Sequence, residues 1–226
     1  YLGMSPFQAP SLFTFLSYLE YEYGVFHPRG GIGSITPKMA SIAENLGVEI
    51  RLSEPVEEVL FDGKKAVGVR TEQGIYSSDK IVMNADFATG MTGLVPDKLR
   101  KRWSDKKIAN KEYSCSTFML YLGVNRTYDT PHHQIYASAD YESNLKDISE
   151  NRITWDDPSL YVQNACVTDP ALAPEGCSTL YVLVPVTNVH DSVNWDTHKQ
   201  RFRDVIVSQM EKMGFEGLSD HIVSET

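Results

Sequence analysis

Few residues in this sequence have the types and spacing to do chemistry, and two stretches stand out. The first is Gly30-Gly31-Ile32-Gly33-Ser34 at the head of an apolar helical pattern. Glycines there permit a close backbone approach, and the bare N–H groups of a helix start favour an anion or a carbonyl. A double glycine at a helix start also makes a plain tight turn, so both readings stand. The second is Asn84-Ala85-Asp86, which ends the apolar run Asp79–Met83. If that run is a buried strand of a parallel sheet, a ligand crevice belongs at its carboxyl end. Asn84 would bring an amide there, and Asp86 would cap the following helix.

Other candidates carry less. His132-His133 invites a metal reading, but adjacent histidines are expected to point different ways and no third ligand has suitable spacing, so no metal is expected. Cys115, Cys166 and Cys177 are odd in number and lack CxxC spacing, which fits a reducing compartment and no disulfide framework. No base can be assigned to Cys166, so it reads as a buried structural thiol. No Walker loop, GxSxG or HExxH motif is present. No catalytic acid or base can be named.

The elements that must position these residues follow from periodicity. Pro6–Tyr23 predicts an aromatic helix, read either as a buried core helix or as the wall of an apolar channel. A second helix runs from the glycines to Leu46, stopped by Gly47. Val48–Leu52 alternates as a strand. Val56–Phe61, the Asp62-Gly63-Lys64 turn, Ala66–Thr71 and Ile75-Tyr76 read as a meander. Phe87–Lys111 reads as helical, broken at Gly93 and Pro96. Ser114–Val124, Ile135–Ala137, Ser159–Asn164, Ser178–Val186 and His221–Ser224 read as strands, the third and fourth being antiparallel neighbours. Tyr141–Ser149, capped by Asp140, and Trp195–Met213 read as helices.

The 226 residues suffice for one large domain or two small ones, and 42% hydrophobic with 23% charged residues is ordinary for a globular protein. A net charge of −9 argues against nucleic acid as a partner. No run of about 18 apolar residues is present to span a bilayer. Lys98, Arg100, Lys101, Arg102, Lys106, Lys107 and Lys111 form a basic run, read as a solvated helix face or as a membrane-surface patch. The chain opens on Tyr1-Leu2-Gly3 without an initiator Met and is read as an internal piece of a longer protein.

Three blocks together resemble the carotenoid desaturase family: bacterial and fungal-type phytoene desaturases within the amine-oxidase-like flavoproteins. They are the aromatic helix with LEYEYGVFHPRGGIGSITPKMASIAENLGVEI, the strands closing on KIVMNAD, and SLYVQNACVTDPALAPEGCSTLYVLVPV. The resemblance implies a mixed α/β architecture: the middle segment of a Rossmann-like FAD-binding domain plus a substrate domain with a mixed or antiparallel sheet and helices. Residues 1–24 would be a helical part of the substrate domain, 25–91 the FAD segment, and 92–226 the rest of the substrate domain. Gly30 and Gly31 would face the flavin, Val56 would pass the adenine through its backbone, and Asn84 and Ala85 would lie near the cofactor. The implied reaction removes two hydrogens from a C–C bond of a long isoprenoid by hydride transfer to flavin. A carotenoid substrate, a quinone or oxygen as electron acceptor, and a cytoplasmic, peripherally membrane-associated location come with it. Two alternatives are an isomerase, saturase or oxygenase of the same family, and a structural piece unable to hold FAD alone.

Overall fold

The computed structural model describes residues 6, 9–111, 113–188 and 193–226. The chain divides into two compact units: residues 1–39 with 113–226, and residues 40–112.

The first unit is organised by a five-stranded antiparallel sheet of β4 (Ser116–Val124), β5 (His133–Tyr136), β6 (Leu160–Asn164), β7 (Ser178–Val186) and β8 (Ile222–Glu225) in the order β5-β6-β7-β4-β8. The alternation in the sequence decides which face is covered. On β7, Leu180, Val182, Val184 and Val186 point into the core, and β4 and β6 add Leu120, Leu122, Val124, Leu160 and Val162. Helix α6 (Trp195–Lys212) closes this face with Phe202, Ile206 and Met210, each fully buried, joined by Phe215 and by Leu218 of α7 (Leu218–His221). Asn194 caps α6 by accepting from the Asp196 N–H, and Asp140 caps α5 (Tyr141–Ser149) through the Ser143 N–H. Asp157 accepts from Tyr136 Oη at 2.7 Å, Ala139 N at 2.8 Å, Gln209 Nε2 at 2.9 Å and Ser138 Oγ at 3.2 Å, so one carboxylate joins β5, the following loop and α6.

The same unit holds α1 (Thr14–Tyr23), preceded by a 3₁₀ turn at Ser11–Phe13 and ended by Gly24 at φ 77°. It forms as its periodicity predicts, but it buries no residue, so the core-helix reading is corrected. Phe7 and Gln8, within the predicted helix, lie outside the described residues. A 3₁₀ turn at Ile32–Ser34 leads into α2 (Ile35–Asn45), which also buries no residue and ends at Gly47, φ 88°.

The second unit is a meander of β1 (Val56–Asp62), β2 (Lys65–Thr71) and β3 (Gly74–Ser77) in sequence order. Gly63, φ 61°, makes the first turn. Helix α3 (Phe87–Leu94) packs against β1 and is capped by Asp86, which accepts the Thr89 N–H at 2.9 Å. A short α4 (Asp105–Ala109) follows. Two expected strands do not form. Val48–Leu52 and Asp79–Met83 pair with no strand among the described residues, and Val82 is 92% exposed. A strand needs a neighbour for its ladder, which an alternating or apolar run does not itself supply. The basic run is also less uniform than the sequence implied. Arg100 is buried and binds Asp105 at 2.7 Å and Asp97 at 3.6 Å, while Arg102 and Lys111 lie over the Trp103 ring. Among the described residues, no helix is long and apolar enough to cross a membrane.

Candidate functional site

In the first unit the glycine turn is held from a distant part of the chain. Gly30 and Gly31 both take positive φ, 82° and 81°, which glycine adopts at little cost because it has no Cβ. The Gly31 N–H donates to Pro28 O at 3.0 Å. The Gly30 N–H donates to Asp169 Oδ2 at 2.7 Å, across 139 residues. A Cβ on Gly31 would stand 3.6 Å from Leu172 Cδ2, an ordinary contact, so backbone angle and not crowding demands glycine there. One donor of this glycine turn is thus matched by a carboxylate of the protein itself, from the VTDPALAPEG stretch between β6 and β7.

Asp169 sits where it could cap the 3₁₀ turn Pro170–Leu172, yet makes no side-chain cap bond there. Its side chain is 12% exposed and turns to Gly30 instead. His27 Nε2 lies 4.0 Å from the same Oδ2, is sealed from solvent, and has no hydrogen-bond partner among the described residues. The His27 ring packs edge-on to His132, centroids 5.0 Å apart, and His132 lies 4.3 Å from His133. The adjacent histidines therefore converge, correcting the expectation that they point apart.

Both ring nitrogens of His132 are engaged. Thr168 Oγ1, which donates to Ala165 O at 3.2 Å, stands 2.6 Å from His132 Nδ1. Gln163 Nε2 is 3.1 Å from His132 Nε2. Burial, then the neighbouring His133 and His27, push the His132 pKa below the ordinary imidazole range. His133 Nδ1 lies 2.7 Å from Tyr161 Oη, and their rings stack at 5.8 Å. Among the described residues no group of histidines, cysteines and carboxylates could hold a metal ion.

From Tyr161 the contacts pass onto the open face of the five-stranded sheet. Tyr161 meets Tyr181 edge-on at 6.2 Å, and Tyr181 meets Tyr121 at 5.4 Å. Strand register places Met119, Ile135 and Leu183 among them. This face, opposite the packed core, carries no Asp, Glu, Lys or Arg from β4 to β7. It offers edges and faces of aromatic rings with polar tips, suited to an uncharged apolar ligand.

In the second unit, Val56 opens β1 and pairs with Thr71, with an irregular register before Glu58. β1 is an edge strand of the meander, and Val56 is 38% exposed. The chain entering β1 is fixed by Glu54, whose side chain is 3% exposed. It accepts from Thr71 Oγ1 at 2.6 Å and from Tyr76 Oη at 2.8 Å. Those bonds hold the Glu54 carboxyl below its usual range. Asn84 and Ala85 are exposed, and the Ala85 Cβ lies 3.4 Å from where a Cβ on Gly90 of α3 would stand. Asp169, His27 and Glu54 are not among the site residues expected from the sequence. The Asp-Pro pair was visible, but a capping role accounts for that pair locally.

The sequence model described as flavin containing amine oxidoreductase matches residues 1–223. The chain is 42% identical over 227 residues to a 4,4'-diapophytoene desaturase (4,4'-diapolycopene-forming) of Methylomonas sp, covering all of this chain and 44% of the relative. It is 40% identical over 230 residues to an all-trans-zeta-carotene desaturase of Myxococcus xanthus, again over the whole chain and 44% of the relative. A 4,4'-diapophytoene desaturase (4,4'-diaponeurosporene-forming) of Staphylococcus aureus is 33% identical over 236 residues, with 47% of it covered. The chain thus spans less than half the length of these relatives. A crystal structure of an oxidoreductase from Methanosarcina mazei matches the whole chain and 49% of its own at a TM-score of 0.65 and 14% identity, a likeness of fold.

Proposed function

This chain belongs to the flavin containing amine oxidoreductase family, and we propose that it forms part of an FAD-dependent carotenoid desaturase. Its substrate would be a long isoprenoid. The observation that carries this reading is the 42% identity, along the whole chain, to a desaturase named for 4,4'-diapophytoene. Membership implies a flavin; FAD as its form is our proposal.

When bound, the flavin would supply a hydride acceptor, while the second hydrogen would leave the adjacent carbon as a proton. The chain's own residues would bind and orient. Val56 offers the outer backbone of an edge strand to the adenine. Gly30 and Gly31 would shape the approach to the flavin, since the donors of both are engaged within the protein. Asn84 and Ala85 would lie near the cofactor. Tyr121, Tyr161 and Tyr181, on an uncharged sheet face, would hold the hydrocarbon and keep water from it. A quinone or oxygen would accept the electrons.

The test is expression of the full-length protein with 4,4'-diapophytoene or phytoene, followed by pigment analysis and a flavin absorption spectrum. More conjugated products and a bound flavin are expected. A full-length protein without flavin would overturn the reading, and a product with rearranged or added bonds but no new desaturation would select the isomerase, saturase or oxygenase alternative. Residues 1–226 alone are expected to bind FAD weakly or not at all. Membrane-surface contact is a further part of the proposal, carried by Lys101, Arg102, Lys106 and Lys107. Reversing these charges is expected to weaken liposome flotation; unchanged flotation removes that patch.

A further inference from the structure

We propose that Asp169 is a positioning residue for the proposed reaction, holding the Gly30–Gly31 turn and the start of the following helix in their working geometry. The inference rests on the flavin-desaturase reading and concerns a residue that reading does not use. Three observations carry it. The carboxylate forgoes the local cap that an Asp-Pro sequence makes available. It reaches 139 residues back to the Gly30 N–H at 2.7 Å. It does so with only 12% of its side chain exposed, where a charge must be matched by donors to be tolerated.

The positive φ angles at Gly30 and Gly31 lack any side chain to stiffen them, so an external tether has work to do. Asp169 supplies it, with Leu172 packed against Gly31 from the same turn. His27 packs beside the tether, its sealed Nε2 4.0 Å from Asp169 Oδ2, with the His132 ring edge-on behind it.

The experiment uses the full-length protein with Asp169→Ala and Asp169→Asn. It reads flavin content, kcat and KM for the isoprenoid, and hydrogen exchange at residues 27–34. A charge-assisted hydrogen bond is worth about tenfold to a hundredfold in an equilibrium or a rate. Asp169→Ala is therefore expected to keep its flavin, lose about tenfold or more in kcat with KM little changed, and speed exchange at Gly30 by a similar factor. Asp169→Asn retains an acceptor oxygen and should recover part of both effects. Wild-type kcat in both Asp169 variants, with only a lower melting temperature, would reduce Asp169 to a structural tie and overturn the proposal while leaving the desaturase reading intact. A wild-type protein with neither flavin nor turnover would bring down both. Asp169→Asn keeps the test open if Asp169→Ala does not fold.

Discussion

The five-stranded sheet and the three-stranded meander are built from similar alternating strands, yet they end up in opposite conditions. In the sheet, every second residue of β7 is buried and α6 closes the face with Phe202, Ile206 and Met210. In the meander, Val59 and Thr71 are buried, while Val56 and Ile75 are 38% and 61% exposed. Alternation therefore says which residues share a face and nothing about whether that face is covered. A covered face stabilises its own strands; an open apolar face is available to a ligand or to more protein.

The comparison breaks or sharpens under substitution. Phe202→Ala, in the covered sheet, is expected to cost about 3–5 kcal/mol in urea unfolding. A loss comparable to that at a meander position would mean that the sheet core is not the stability centre. Asp157→Asn leaves four donors around a neutral amide and should cost about 2 kcal/mol. Burial raises the Asp157 pKa, but the bonds from Tyr136, Ala139, Ser138 and Gln209 outweigh that and hold it low. Its stabilisation is therefore present above the unfolded carboxylate pKa of 3.8 and lost as pH falls below it; the wild type should lose that increment in acid and the variant should not.

Val59→Ala, in the meander, removes two buried methyl groups and should cost about 1.5 kcal/mol, whereas Val56→Ala should stay within about 0.5 kcal/mol. Equal effects at the two positions would show that the exposed edge is covered in solution. His132 provides the smallest effect. Its depressed pKa means the unfolded chain binds more protons below the ordinary value of 6.5, so stability falls as pH drops through that value. His132→Gln should flatten this slope in melting temperatures taken between about pH 7.5 and 5.5.

Most elements were legible because their signals are local. The Asp62-Gly63 turn, the Asp86 and Asp140 caps, Gly47 as a helix stop and the pairing of β6 with β7 all follow from residues close in sequence. The strands expected at Val48–Leu52 and Asp79–Met83 failed because a ladder depends on a partner that no local pattern specifies. The aromatic helix α1 formed as expected, but its burial depended on what packs against it. For the candidate site, Gly30, Gly31, Val56, Asn84 and Ala85 were named from the resemblance, and their cofactor roles remain part of the proposal. Asp169 and the converging His27, His132 and His133 were visible as residue types only.

Helix and strand periods, turn residues and family likeness were thus set by the order of the amino acids, since each rests on neighbours a few positions apart. Which faces are sealed, which histidine has its pKa lowered, and which carboxylate takes the Gly30 N–H were decided only by the tertiary fold. Burial and a contact across 139 residues are properties of how chain segments meet, and no local spacing encodes them.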